Sequence, residues 1–70
     1  MSIKLFDQVI SIVDFDKVHP GTLGTVVEVW EEGKLYEIEF FDQDYKTIGC
    51  ITMNPSQFRK LSEEGNALFK

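Results

Sequence analysis

The stretch that most constrains this chain is VVEVWEEGKLYEIEF, residues 26–40. Two runs of alternating apolar and polar residues flank Glu31-Glu32-Gly33-Lys34. That pattern predicts a β-hairpin with Glu32 and Gly33 at the centre of the turn. The register then sets Glu31 opposite Lys34, Trp30 opposite Leu35, Val29 opposite Tyr36, Glu28 opposite Glu37, Val27 opposite Ile38 and Val26 opposite Glu39. Successive side chains leave opposite faces of a strand, so Val27, Val29, Tyr36, Ile38 and Phe40 share one face, the expected core. The other face carries Val26, Glu28, Trp30, Leu35, Glu37, Glu39 and Phe41. A slip of one residue would expose the core set, which specifies the register strongly. The arrangement also has a cost, because Glu28 meets Glu37 and like charges directly opposite destabilise a sheet.

The rest of the chain must close a core around that hairpin with few aids. Seventy residues make one small domain, and a core of that size supplies only about 3–5 kcal/mol. The single cysteine, Cys50, cannot form an internal disulfide, and one cysteine with one histidine cannot build a Cys-rich zinc site. An apolar fraction of 43% is sufficient for one globule. Around the hairpin, residues 5–13 (LFDQVISIV) read as a strand and 14–21 (DFDKVHPG) as a loop. Residues 24–30 and 35–41 are the hairpin strands, 42–46 (DQDYK) a polar turn and 47–53 (TIGCITM) a fourth strand. Asn54-Pro55-Ser56-Gln57-Phe58 is expected to make one helical turn, capped by Asn54 or Ser56, before a closing strand at 59–61. The fold class that follows is all-β: a small five-stranded SH3-like barrel with a short helical turn before the last strand, whose closure would remove exposed edges. The barrel is assigned to residues 1–61 and a C-terminal tail, a frayed end or short helix, to 62–70.

One segment resembles a known family. Gly21-Thr22-Leu23-Gly24-Thr25-Val26-Val27-Glu28-Val29, followed by Tyr36-Glu37-Ile38-Glu39-Phe40, is similar to the small bacterial domain-of-unknown-function family 4926 (DUF4926). Phe6-Asp7-Gln8-Val9, Thr52, Pro55 and Phe58-Arg59 fit the same pattern, so the resemblance covers roughly residues 5–61. It implies an SH3-like barrel without a transferable catalytic motif, and accessory, antitoxin-like or immunity-like roles. Ser11 departs from it, since an apolar residue is expected there. On physical grounds Gly21 and Gly24 suit a turn that feeds the next strand, where positive φ and close backbone approach are needed.

Twelve acidic against seven basic side chains give a net charge of −5. The cations are scattered, which disfavours binding to nucleic-acid phosphates. No run of about 18 apolar residues suggests a membrane span, and MSIKLFDQ lacks the apolar stretch of a signal peptide, so a cytoplasmic protein with a reduced Cys50 is expected. No catalytic residue, metal ligand or cofactor site is assigned. His19 has no nucleophile partner in sequence, Cys50 reads as structural within an apolar strand, and Asp42-x-Asp44 lacks the glycine and distal glutamate of a calcium loop. The signature of proline-peptide-binding SH3 domains is absent, and no enzyme is expected. Two readings of the acidic face remain. It is a solvated strand surface, or it is a docking surface for a basic protein through Glu28, Trp30, Glu37, Glu39 and Phe41. The second makes the chain a binding module of the immunity-protein or antitoxin kind. An accessory subunit that forms a homo-oligomer through the hairpin is the alternative.

Overall fold

The computed structural model describes residues 3–61; the tail assignment at 62–70 lies outside the described residues. Five antiparallel strands form one sheet: β1 (Gln8–Ser11), β2 (Leu23–Trp30), β3 (Leu35–Phe41), β4 (Thr47–Met53) and β5 (Phe58–Lys60), in the order β4-β3-β2-β1-β5. Short 3-10 turns at Glu31–Gly33 and Pro55–Gln57 are the only helical elements among the described residues. The all-β, five-stranded class is therefore as expected. The expected full closure is not seen: β4 and β5 are the sheet's two edges and do not pair.

β3 and β4 have the bounds that their alternation and turn signals predict. The chain reverses at the expected residues but over a wider turn than two central residues: φ is positive at Glu31 (52°), Glu32 (57°) and Gly33 (94°), and Lys34 N–H donates to the Glu31 carbonyl. Asn54 accepts from the Ser56 N–H, and Gln57 reaches back to the Asn54 N–H, closing a reciprocal cap with Pro55 at the start of the turn. β5 starts one residue earlier than expected, at Phe58, because that cap ends at Gln57. β1 is shorter than residues 5–13. Phe6 adopts φ 71° and the Lys4 N–H bonds the Asp7 carboxylate, so a turn precedes the strand.

The register holds from the turn through Glu28 and then shifts. Trp30–Leu35, Val29–Tyr36 and Glu28–Glu37 pair as expected, but Ile38 faces Val26 and Glu39 faces Thr25. Val27 is the extra residue of a β-bulge. This corrects two face assignments: Val26 is fully buried and belongs to the core, whereas Val27 is only partly buried. A bulge bends and twists its strand. Here it lies where β2 changes from pairing with both β1 and β3 to pairing with β3 alone.

The core comprises Val9, Val18, Val26, Tyr36, Ile38, Phe40, Met53 and Phe58, with Tyr36 and Phe58 meeting edge to face at 5.3 Å. Gly24 is where the sheet packs tightest. A Cβ there would stand 2.6 Å from Ile38 Cγ2 and 2.8 Å from Phe40 Cδ1. Gly21 supplies φ 95° in the preceding loop. Ser11, the residue that departs from the family pattern, is fully buried yet satisfied. Its Oγ donates to the Val13 carbonyl (2.7 Å) and accepts from the Val13 N–H (3.2 Å), turning the chain into the loop.

Candidate functional site

The ladder pairings place the outer side chains in rows across the sheet. Leu35 and Trp30 make the first, at the hairpin end. Thr52, Glu37 and Glu28 make the second, and Cys50, Glu39, Thr25 and Gln8 the third. Beyond them Thr47 pairs with Phe41 at one side of the sheet, and Leu23, Ile10 and Arg59 make a row at the other. Glu28 and Glu37 therefore stand directly opposite, with Cβ atoms roughly 5 Å apart. Glu39 follows Glu37 on the same strand at roughly 7 Å. Glu28 is exposed, and Glu37 and Glu39 are partly exposed.

Among the described residues, no cation forms an ion pair with this stripe. Ion pairs among the described residues join His19 to Asp14 (2.8 Å) and Lys60 to Asp7 (3.4 Å), and neither touches it. Thr47 Oγ1 donates to Glu39 Oε2 (2.5 Å), which fixes that carboxylate without cancelling its charge. The field of the stripe is felt by Cys50. Its thiol pKa is pushed up by partial desolvation first, then by the Glu39 carboxylate and then by Glu37. Cys50 is exposed, which corrects its reading as a residue held inside an apolar strand. β4 is an edge strand, and Cys50 lies on its outer face opposite Glu39.

Trp30 is 44% exposed and stands at one end of the stripe, beside Leu35. Phe41 stands at the other end, six residues along β3 and roughly 20 Å away. The structure thus brings Glu28, Glu37 and Glu39 together, with Trp30 against them, and sets Phe41 in a different neighbourhood. Phe41 helps line a groove of about 540 Å³ with Leu23, Ile48, Pro20, His19 and Tyr45, between the 14–22 loop and the 42–46 turn. Tyr45 is 75% exposed with φ 64°. Asp42 holds that turn by accepting from the Asp44 and Lys46 N–H groups, so its carboxylate has a structural task. Sequence reasoning did not find the groove. The one local signal was an aromatic residue inside a polar turn.

Residues 5–60 match the model of a family described as a domain of unknown function, DUF4926. The chain belongs to the DUF4926 family. No curated protein and no solved structure matches it. For this DUF4926 chain the matched span coincides with the folded sheet, from the turn before β1 to the end of β5. The buried motif residues explain much of the pattern physically. Gly24 is required by the close packing of Ile38 and Phe40 across it, and Phe58 fills the core against Tyr36.

Proposed function

We propose that this DUF4926 chain is a non-enzymatic protein-binding module that docks a basic partner on the outer face of β2 and β3, in the manner of an immunity protein or antitoxin. One observation carries the reading. Glu28 and Glu37 are held face to face, with Glu39 beside them and no cation within ion-pair distance among the described residues. A sheet that only needed solubility could scatter its charges; this one concentrates like charges where they repel. A Lys or Arg from a partner would relieve that repulsion, and the acidic field would speed encounter with a cationic surface. The exposed indole of Trp30 supplies an apolar anchor at the end of the stripe, the residue type that dominates interface energetics.

The test is co-purification from native cells with the tagged wild-type chain, Trp30→Ala, and a triple variant with Glu28→Lys, Glu37→Lys and Glu39→Lys. The expected result is one basic protein retained by the wild type, weakened by added salt and lost from both variants. A partner retained equally by all three chains would place recognition elsewhere and overturn the proposal.

A further inference from the structure

The hairpin half of β2 is open along one side. β1 and the segment before it cover β2 only as far as Val26, which donates its N–H to the Asp7 carbonyl (2.9 Å) and accepts from the Phe6 N–H (2.7 Å). A turn closed by the Lys4 N–H on the Asp7 carboxylate (2.8 Å) ends that pairing. From Glu28 to Trp30, β2 pairs with β3 alone. The direction of its main-chain groups follows from β3, whose pairing with β4 is regular from Tyr36 to Phe40. Both Val26 groups point away from β3, so Ile38, opposite Val26, turns its own groups toward β4. Tyr36, two residues along β3, does the same. Val29, opposite Tyr36, therefore turns its N–H and carbonyl to the open side. No turn, loop or cap hydrogen bond takes them up among the described residues. The bulge at Val27 lies outside this stretch, and the phase is not carried through it.

We propose a mode for the docking reading, on which it rests: the basic partner lays an extended segment along β2 as an added strand, antiparallel to Glu28–Trp30. Antiparallel pairing lets one residue of the segment exchange both hydrogen bonds with Val29. Paired side chains share a face, and Val29 packs against the core, so that residue is apolar and extends the core. The residue before it stands beside Trp30, which is 44% exposed, and is apolar too. The residue after it stands beside the exposed Glu28, with Cβ atoms roughly 5 Å apart, and is Lys or Arg. The recognised segment thus reads apolar, apolar, cation. Charge selects it. The cation completes the row of Thr52, Glu37 and Glu28 at its β2 end. There it meets Glu28, and Glu37 lies two strand spacings away, roughly 10 Å, within range of a long side chain. An acidic segment would set a third carboxylate in that row, so the same edge rejects it.

The probe is the peptide acetyl-Thr-Leu-Val-Lys-Thr-amide, titrated to millimolar concentration against the full chain and followed by amide NMR. The expected result is a saturable shift, largest among main-chain groups at the Val29 N–H, with slowed hydrogen exchange there. N-methylation of the peptide's Val removes the N–H that faces the Val29 carbonyl and should weaken binding about tenfold. N-methylation of its Lys, whose N–H faces away from β2, should change binding little. Glu28→Lys is at an exposed position and should leave the fold intact. It should lose the lysine peptide and gain the counterpart with Glu in place of Lys. Equal losses from the two N-methylations overturn strand addition and leave docking through side chains standing. Equal binding of the lysine and glutamate peptides by the wild type overturns the docking reading as well, because charge then selects nothing. A Val29 N–H that the lysine peptide leaves unchanged overturns the proposal. So does one already slow to exchange without peptide, because the edge is then filled by the chain itself or by a second copy.

Discussion

On β3, Tyr36, Ile38 and Phe40 point inward and are buried, while Leu35, Glu37, Glu39 and Phe41 alternate with them on the outside. One seven-residue strand thus serves two surfaces with different requirements. The inner residues are constrained by volume. Gly24 lies under Phe40 with no room for a methyl group, and Phe58 meets Tyr36 edge to face. The outer residues are constrained by charge, and they sit in a repulsive arrangement that packing does not demand. If the comparison is right, inner substitutions change stability by kilocalories and outer ones by tenths.

The largest expected effect is Phe40→Ala. The side chain is fully buried, and truncating a core phenylalanine costs about 3–5 kcal/mol, comparable to all that a domain of this size holds. The variant should be largely unfolded by circular dichroism at room temperature. A cooperative urea transition close to wild type would show that the inner face is not the source of stability. Gly24→Ala comes next. Its new Cβ would lie within 3 Å of Ile38 Cγ2 and Phe40 Cδ1, so overpacking should cost about 1–3 kcal/mol in urea unfolding, against the usual gain from replacing a strand glycine.

The same contrast decides what could be read from sequence. The hairpin and β3 were legible because strict alternation brackets the Glu-Glu-Gly-Lys turn, and β4 because an apolar, β-rich run follows the polar turn at 42–46. The Glu28–Glu37 pairing followed from counting back from Gly33. The bulge did not, because Val26 and Val27 are identical, and either could take the inward phase. Residues 5–13 looked like one long strand because they are rich in β-branched residues. The turn at Phe6 is set by the Asp7 carboxylate capping the Lys4 N–H, a contact with no apolar signature. Phe41 was grouped with Trp30 by face alone, and face carries no information about distance along the strand. The groove it lines joins a loop before β2 to a turn after β3, segments that only the folded sheet brings together.

Charge effects on the outer face should be small and coupled. Glu28→Gln and Glu37→Gln are each expected to raise stability by about 0.2–1 kcal/mol. The double substitution should gain less than the sum, since either one removes the shared repulsion. Glu37→Gln should gain more than Glu28→Gln, because Glu37 also neighbours Glu39 on its own strand. Both gains should shrink as salt is added. Losses of stability, or strict additivity in the cycle, would mean that the two carboxylates do not sense each other and that the outer face is an ordinary solvated surface.

The smallest effect reads the field of the stripe without disturbing the fold. Cys50 lies opposite Glu39, and desolvation, Glu39 and Glu37, in that order, push its thiol pKa up. The thiolate is the reactive form, so alkylation of the native chain by iodoacetamide should reach its half-maximal rate at a higher pH than alkylation of the urea-unfolded chain. Removing a neighbouring negative charge makes the thiolate easier to form. Glu39→Gln should therefore move the profile toward lower pH, and Glu37→Gln should move it less in the same direction. Neither should bring it to the unfolded value, because the desolvation remains. If both variants titrate with the wild type, the carboxylates do not act together at the outer surface of β4, and the concentrated charge on which the docking reading rests is not felt there.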